Sequence, residues 1–290
     1  MAFNSLNMKI SIITINYNNR EGLQKTIESV INQAYKDFEY IVIDGNSTDG
    51  SKDVLEQYKE HFAYWVSESD AGIYNAMNKG TQHATGDYLL FLNSGDWLHD
   101  NNVLSSVVKH LEDFDLIIGK NFFPAIGTQS EIEEPITMRR FYVGSIPHQS
   151  TFIKREVLVQ TPYDENYRIV SDWKFFIQTI ILANASYKLV DIIVADFDTE
   201  GISTSQKSVG DFERVKVLNE LFPERVLLDY VTFEKGDGYQ NTNYDRFYIK
   251  LRDYHFAPII YTLSVLLVRF FSIFKKSAGF AKTYPLRIKK

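Results

Sequence analysis

The chain has 290 residues, a formal net charge of −6, and a globular composition with 44% hydrophobic and 23% charged residues. This balance argues against disorder, and the excess of acidic residues argues against a nucleic-acid-binding surface. Cysteine is absent, which excludes disulfide bonds and cysteine-based catalysis or metal binding. The first seven residues lack the charged and apolar regions of a secretory signal, so we expect a cytoplasmic protein.

The first hundred residues alternate between strand patterns and helix patterns. Apolar, β-branched runs predict four buried strands, at KISIITINY, FEYIVID, AYWVS and DYLLFL. Three amphipathic segments between and after them predict helices, at NNREGLQKTIESVINQ, KDVLEQYKEHF and AGIYNAMNKGTQHATG. The first helix places Leu23, Ile27 and Val30 on one face, and Asn18 or Asn19 is expected to cap it. This alternation over short links predicts an α/β fold with a mostly parallel sheet flanked by helices.

Beyond residue 100 the pattern is less regular. NNVLSSVVKHLED predicts a helix and FDLIIGKNFF a strand, whereas residues 124–146 have no regular pattern. PHQSTFIKREVL predicts a turn followed by a strand and a helix. VSDWKFFIQTIILA then predicts a long helix, and YKLVDIIVADF a further strand.

Polar side chains follow each of the first four strands. They are Thr14, Asn16 and Asn18 after the first strand, then Asp44, Asp70 and Asp96 after the next three. Because the carboxyl ends of parallel strands meet at one edge of a sheet, we expect a polar crevice there. Such a crevice could read a base and hold a divalent cation that binds phosphates. The alternative is that these residues cap helices and shape turns, which Asn and Asp favour.

Two common nucleotide-binding patterns are absent. Neither G-x-G-x-x-G nor G-x-x-x-x-G-K-[ST] occurs after the first strand. The main evidence for a dinucleotide-binding protein or a P-loop protein is therefore missing.

Five motifs, in order, resemble the inverting family 2 glycosyltransferases, which have the GT-A fold. They are SIITINYN, YIVIDGNSTDGS, SDAGIYNAMNKG, ATGDYLLFLNSGD and VSDWKF, and the resemblance covers about residues 8–200. It implies a GT-A domain over 8–205, with a nucleotide-binding half (8–100) and an acceptor-binding half (101–205). Residues 206–290 would form a C-terminal helical extension.

The resemblance also implies roles at the nucleotide-sugar site. In that family, the last acid of a D-x-D-type motif binds Mn²⁺ or Mg²⁺, and this position is Asp96. The first acid of the motif is replaced here by Asn93. The residues expected to bind the nucleotide sugar are Thr14, Asn16, Asn18, Asp44, Asp70, Lys79, Asn93 and Ser94, with Thr14 and Asp44 contacting the uridine.

Asp172 in VSDWKF matches the general base of the family, which removes the proton of the acceptor hydroxyl. Its alternative role is that of a helix N-terminal residue favoured by the macrodipole. The nearest competing carboxylates, Asp164 and Glu165, are expected to be loop residues. Contacts with the acceptor are expected from His148, Gln149, Trp97 and Trp173, although large aromatic residues more often belong to the core.

The C-terminal segment combines an apolar run with a basic end. About eighteen apolar residues from Ala257, with Arg269 inside them, precede Lys275 and Lys276, and no acidic residue follows Asp253. A membrane span needs about 20 apolar residues. The segment therefore favours a helix lying on an anionic membrane surface, and the alternative is a helix docked on the domain.

Together these features predict an inverting transferase that uses a UDP-hexose or UDP-N-acetylhexosamine with Mn²⁺ or Mg²⁺. The resemblance implies a polyprenyl-diphosphate-linked saccharide acceptor, in the biosynthesis of surface polysaccharide such as O-antigen, at the inner face of the cell membrane. The alternatives are a catalytically silent scaffold and a sugar-nucleotide nucleotidyltransferase. The latter would need a Gly-rich loop after the first strand, which INYNNREG does not supply.

Overall fold

The computed structural model describes residues 8–112, 114–197 and 206–228. The chain divides into two compact units, Met1–Leu221 and Phe222–Lys290, and everything below concerns the first of them. The apolar and basic C-terminal segment discussed above lies outside the described residues. Among the helices that are described, none is long and apolar enough to cross a membrane.

A mixed sheet forms the centre of the first unit. Its strands in the described chain are β1 (Ile10–Asn16), β2 (Phe38–Asp44), β3 (Tyr64–Ser67), β4 (Tyr88–Phe91), β5 (Trp97–Leu98), β6 (Leu116–Phe123), β7 (Thr128–Gln129), β8 (Thr151–Lys154) and β9 (Tyr187–Asp196). Their order is β3-β2-β1-β4-β8-β6-β9-β5, with β7 paired to β6. The four strands β1 to β4 are mutually parallel, β8 runs antiparallel between β4 and β6, and β6 pairs with β9 in parallel. The predicted α/β fold with a mostly parallel sheet is confirmed.

Helices cover the sheet. They are α1 (Arg20–Ile31), α2 (Ser51–Tyr58), α3 (Ile73–His83), α4 (Val103–Val107), α5 (Met138–Val143), α6 (Arg155–Gln160), α7 (Ser171–Phe176) and α8 (Lys207–Leu221). Every residue of β1 is buried, as expected for a strand covered on both faces. Helix α1 buries the predicted stripe of Leu23, Ile27 and Val30, and its N-cap is Asn19, whose side chain accepts from Gly22 N.

Two segments differ from the prediction. The helix predicted from residue 170 continues from Ser171 to Leu182, but its second half, Ile177–Leu182, is a π-helix. The segment 124–146, predicted to be irregular, contains β7 and α5. Both features depend on packing against distant elements, which local periodicity does not encode.

Glu39 joins three elements at the edge of the sheet opposite the carboxyl ends of the strands. Its buried carboxylate accepts from Ser11 Oγ (2.6 Å), from the backbone N–H and hydroxyl of Thr85, and from Lys9 Nζ (2.9 Å). Burial alone would raise its pKa, but these hydrogen bonds lower the pKa to about 2. The ionised Glu39 therefore fixes β1 and β2 to the loop that leads into β4.

Helix α8 lies in the first unit, although the sequence assigned it to the extension beyond residue 205. Glu213 on this helix accepts from the backbone N–H groups of Arg168 (2.8 Å) and Ile169 (2.9 Å). Glu220 pairs with the buried ammonium of Lys174 on α7. These contacts hold the loop that leads into α7, which explains why α8 belongs with the sheet.

Candidate functional site

The turn after β4 is built so that Asp96 stays at the carboxyl edge of the sheet. Ser94 N donates to Ile15 O of β1 (3.0 Å), which extends the pairing of β4 beyond its last residue. Gly95 has φ +106°, a conformation that favours glycine. Thr26 on α1 accepts from Gly95 N (3.1 Å) and donates to Asp96 O (2.6 Å). Helix α1 therefore fixes the backbone on both sides of the turn.

Asp44 lies at the same edge, at the end of β2, and it is fully buried. One carboxylate oxygen accepts from Asn16 Nδ2 (2.7 Å) and Ser47 Oγ (2.6 Å). The other accepts from Ser47 N (2.9 Å) and Ser67 Oγ (2.6 Å). Because a carboxylate offers about four acceptor positions, this arrangement fills them with protein donors. A uracil N–H would have to replace one of these donors, so the uridine contact of Asp44 stays a prediction.

Thr14 and Asn18 are also engaged with neighbouring backbone. Thr14 is fully buried and donates to Leu92 O (2.8 Å), which favours the alternative that it shapes the strand end. Asn18 adopts φ +49° and accepts from Thr48 N (2.9 Å). In contrast, Asn16 Oδ1 is buried and has no hydrogen-bond partner among the described residues, so it is available to a ligand.

Asp70 closes over Gly45. A Cβ atom on Gly45 would lie 2.6 Å from Asp70 Oδ2, so the glycine is what allows the carboxylate to approach. Asp70 Oδ1 accepts from Gly72 N (2.9 Å), just before α3. Lys79 on the same helix pairs with Glu68 (2.8 Å). Asp70 and Lys79, both predicted to bind the donor, therefore belong to α3 and the loop before it.

Asp172 lies at the first turn of α7 and faces this edge. Its Oδ2 atom lies 2.8 Å from His148 Nδ1, and its Oδ1 atom accepts from Tyr74 Oη (2.8 Å). On the other side of the imidazole, His148 Nε2 lies 3.3 Å from Asn93 Nδ2. Two successive contacts of His148 thus connect Asp172 to the turn that carries Asp96.

The surroundings of Asp172 keep it ionised. Burial alone would raise its pKa, but the hydrogen bond and charge of His148, together with the hydrogen bond from Tyr74, hold the pKa below its usual value. Burial and the charge of Asp172 raise the pKa of Tyr74 well above its usual range, so the phenol remains a donor. Sequence reasoning missed Tyr74, although it belongs to the motif SDAGIYNAMNKG.

The two carboxylates that could compete with Asp172 are held elsewhere. Asp164 pairs with Lys174 Nζ (2.7 Å). Glu165 accepts from Asn75 Nδ2 and Asn78 Nδ2, both at 2.8 Å, and so ties its loop to α3. Both are loop carboxylates, as expected.

Three of the four residues predicted to contact the acceptor are packed. Trp173 is 3% exposed, and its indole N–H donates to Phe141 O and Gly144 O. Lys25 Nζ lies 2.9 Å from the centroid of the Trp97 ring and covers it. Gln149 is 5% exposed. These placements favour the core alternative for Trp173. Trp97 is half-buried and covered by Lys25, and His148 contacts both Asn93 and Asp172.

Comparison with known proteins agrees with this geometry. The family model described as glycosyl transferase family 2 matches residues 11–163. An uncharacterised glycosyltransferase of Mycobacterium tuberculosis is 32% identical over 226 residues, which cover 74% of this chain and 85% of that protein. This chain is a family 2 glycosyltransferase. The family 2 resemblance read from the five motifs is therefore confirmed.

Other relatives of this glycosyltransferase give wider context. A PGL/p-HBAD biosynthesis glycosyltransferase of Mycobacterium bovis is 28% identical over 202 residues, covering 66% of this chain and 77% of that protein. Among solved structures, Staphylococcus aureus TarS 1–349 in complex with UDP-GlcNAc aligns with a TM-score of 0.59 and 20% identity, covering 75% of this chain and 69% of that chain. The mannosyltransferase PcManGT of Pyrobaculum calidifontis, in complex with GDP-Man and Mn²⁺, aligns with a TM-score of 0.50 and 19% identity, covering 65% of this chain and 56% of that chain. At these identities the structures confirm the fold.

The metal-binding capacity of this glycosyltransferase rests on few protein groups. Within 8–112, 114–197 and 206–228, no group of three or more His, Asp or Glu side chains is arranged to hold a metal ion. The turn supplies the carboxylate of Asp96, because position 93 is an amide. Mg²⁺ in nucleotide-dependent enzymes is commonly bound by one or two carboxylates together with substrate phosphates. The residues therefore fit a cation that arrives with the nucleotide diphosphate.

Proposed function

We propose that this glycosyltransferase moves a hexose or N-acetylhexosamine from a UDP-sugar to a saccharide hydroxyl, with inversion at the anomeric carbon. The observation that carries the proposal is the hydrogen-bonded connection from Asn93 through His148 to Asp172. It brings an ionised carboxylate to the edge where the family binds its donor. An inverting displacement needs a base on the side of the acceptor and a stabilised leaving group on the side of the nucleotide.

The donor would lie along the carboxyl ends of β1, β2 and β4. Asp70 and Lys79 would form one wall, and Asn16 Oδ1 would offer a buried acceptor without a protein partner. Asn93 and Ser94 would lie beside the diphosphate, where the turn brings backbone close to the ligand. Asp96 would hold Mn²⁺ or Mg²⁺, which when bound stabilises charge on the leaving diphosphate.

Asp172 and His148 would form the basic centre of the reaction. The carboxylate is ionised, and it contacts an imidazole that reaches the donor edge. Asp172 is thus the residue on which removal of the acceptor proton depends. A positioned base contributes about 10²–10⁴ in rate.

The choice of UDP and of the acceptor is supported by relatives and by the C-terminal sequence. TarS was solved with UDP-GlcNAc, and it shares the fold of this chain. A polyprenyl-diphosphate-linked saccharide acceptor in surface polysaccharide or lipopolysaccharide biosynthesis would suit the apolar and basic segment after residue 256. We propose that this segment holds the enzyme at the inner face of the cell membrane.

A panel of UDP-sugars and GDP-mannose tests the donor. The full chain is incubated with each donor, Mn²⁺ and a polyprenyl-diphosphate-linked saccharide acceptor, and released nucleoside diphosphate is measured with and without EDTA. We expect turnover of a UDP-hexose or UDP-N-acetylhexosamine that EDTA removes, and NMR of the glycosylated product should show the opposite anomeric configuration to the donor. Absence of both binding and turnover across the panel would instead favour a catalytically silent scaffold.

A further inference from the structure

We propose that Tyr74 is a positioning residue for the base. Its hydroxyl occupies Oδ1 of Asp172, keeps that carboxylate charged, and leaves Oδ2 to receive the proton of the attacking hydroxyl. This inference rests on the proposed function, in which Asp172 is the direct base. The contacts of the Tyr74 hydroxyl and the acceptor positions left on the carboxylate support it.

The hydroxyl of Tyr74 bridges two groups at the start of α7. Tyr74 is the second residue of α3 and is 5% exposed. Its Oη atom lies 2.6 Å from Ile169 O and 2.8 Å from Asp172 Oδ1. Ile169 is also held from α8, because its backbone N–H donates to Glu213 Oε2 (2.9 Å). The phenol therefore contacts the base and a backbone carbonyl whose position is fixed.

A phenol has one hydrogen to donate, and here it has two acceptors within hydrogen-bond distance. While Asp172 is ionised, its carboxylate is the better acceptor, because a hydrogen bond to a charged oxygen is roughly twice as strong as a neutral one. When Asp172 carries a proton, the hydrogen can turn to Ile169 O. The buried hydroxyl thus keeps a partner in both states, and its contact with Oδ1 favours the charged state.

Described residues fill three of the roughly four acceptor positions of the Asp172 carboxylate. Oδ1 accepts from Tyr74 Oη and from Trp173 N (2.9 Å), while Oδ2 accepts from His148 Nδ1 (2.8 Å). The fourth position is on Oδ2. The Asp172 side chain is 15% exposed, so it is not sealed from an approaching hydroxyl. Oδ2 is therefore the oxygen that takes the proton.

The titratable side chains that bear on Asp172 in the described chain come from three elements. They are Tyr74 on α3, Tyr163 in the loop before α7, and His148 in the turn before β8. Burial would raise the pKa of Asp172, while the hydrogen bond and charge of His148 and the hydrogen bond from Tyr74 lower it. Lys174, the other charged residue of α7, forms its ion pairs with other carboxylates.

The proposed step balances as a single displacement. The acceptor oxygen forms a bond to the anomeric carbon, while the bond from that carbon to the diphosphate oxygen breaks and its electron pair leaves with UDP. The hydroxyl proton moves to Oδ2 of Asp172, and the phenol hydrogen of Tyr74 is then free to turn to Ile169 O. The neutral carboxyl group returns its proton to solvent after the products leave.

Transfer rates from about pH 4 to pH 9 test the inference. Wild type is compared with Tyr74→Phe and Tyr163→Phe, using the UDP-sugar that the donor panel identifies and the polyprenyl-diphosphate-linked acceptor. Tyr163 is the matched control, because it is 2% exposed and its ring centroid lies 5.5 Å from that of Tyr74. Its hydroxyl has no hydrogen-bond partner among the described residues. Each variant removes one buried phenol oxygen and keeps the ring.

The position of the acidic limb of kcat decides the outcome. In Tyr74→Phe we expect this limb to move to higher pH, because the ionised carboxylate loses a donor. At neutral pH kcat should fall about 10-fold to 100-fold, as for the loss of one hydrogen bond to a charged group, with little change in donor KM. Tyr163→Phe should keep the wild-type limb. A wild-type limb in Tyr74→Phe, or an equal shift in Tyr163→Phe, would overturn the inference.

A second readout depends neither on turnover nor on the folding of a variant. In the wild-type chain labelled with carbon-13 at tyrosine Cζ, the Tyr74 resonance should show a step as Asp172 gains its proton, because the phenol changes acceptor. Absence of that step while the Asp172 carboxyl resonance titrates would overturn the inference and leave the proposed function standing. A wild-type chain that turns over no UDP-sugar would overturn both together.

Discussion

The imidazole of His148 joins Asn93, in the turn after β4, to Asp172 at the start of α7. The two residues come from different halves of the chain. The imidazole between them connects the turn after β4 to the first turn of α7. A structure with Asp96 and Asp172 on opposite faces would have contradicted catalysis. The observed connection links Asp172 to the turn that carries Asp96, and the separate roles proposed for the two acids can be tested.

Asp172→Asn should abolish most transfer while leaving nucleotide affinity in place. The amide cannot accept the proton of the acceptor hydroxyl, so kcat should fall about 10²–10⁴-fold. His148 lies between Asp172 and the turn at Asn93–Asp96, where we propose that the diphosphate binds. The Kd for UDP, measured by calorimetry, should therefore stay within a few-fold of wild type. A large loss of UDP affinity would show that Asp172 holds the donor instead.

Asp96→Asn should remove the metal-dependent part of UDP binding. Calorimetry with UDP, with and without Mn²⁺, measures the difference that the cation makes to the Kd in each variant. We expect that difference to collapse, because the Asp96 carboxylate is the hard oxygen ligand that we propose for the cation. Asp100→Asn, an exposed change in the loop after β5, serves as the control and should keep the difference. An unchanged metal effect in the Asp96 variant would place the cation elsewhere.

Gly45→Ala should weaken nucleotide binding with little effect on folding. Its Cβ atom would lie 2.6 Å from Asp70 Oδ2, and the carboxylate can swing away from it toward solvent. If Asp70 contacts the donor, the Kd for UDP should rise by about tenfold, equivalent to roughly 1.4 kcal/mol. Gly144→Ala is the matched control, because its nearest neighbour would be an ordinary contact at 3.8 Å. Equal affinity in wild type and Gly45→Ala would remove Asp70 from the donor site.

Glu39→Gln should lower stability in a pH-dependent way. The pKa of Glu39 is lowered from 4.5 to about 2 in the folded state, so its ionisation stabilises the fold fully above about pH 4.5 and less as the pH falls toward 2. We expect a loss on the order of 2–3 kcal/mol in the free energy of unfolding at neutral pH, measured with urea. The loss should shrink below about pH 4. Glu60→Gln, at an exposed position, should show neither effect, and a pH-independent difference would contradict the assigned ionisation.

The parts of this molecule that the sequence predicted are those set by local chemistry. The strands β1 to β4 and the apolar stripe of α1 follow from periodicity, and the turn at Gly95 and Asp96 follows from residue type. The motifs also indicated Asp172. What they could not show is that its carboxylate contacts His148, because that contact depends on tertiary packing that brings the turn at His148–Ser150 to the start of α7.

The hydrogen bonds that surround the buried Asp44 could not be predicted from the sequence either. Its position at the end of β2 suggested a ligand-binding acid, and the structure surrounds it with Asn16, Ser47 and Ser67. Trp173 was ambiguous for a similar reason. An aromatic residue beside a candidate base can face either the substrate or the core. The indole N–H of Trp173 donates to Phe141 O and Gly144 O, which shows that this side chain faces the core.

Two acids of α8 support the loop that leads to Asp172, the proposed base. The family model ends at residue 163, yet the loop before Asp172 is held by Glu213, and Lys174, 4% exposed, is neutralised in part by Glu220. A fragment that stops at residue 205 would lack Glu213 and Glu220. The backbone N–H groups of Arg168 and Ile169, just before α7, would then lose their acceptor. Truncation studies of this enzyme should therefore keep the chain through residue 221.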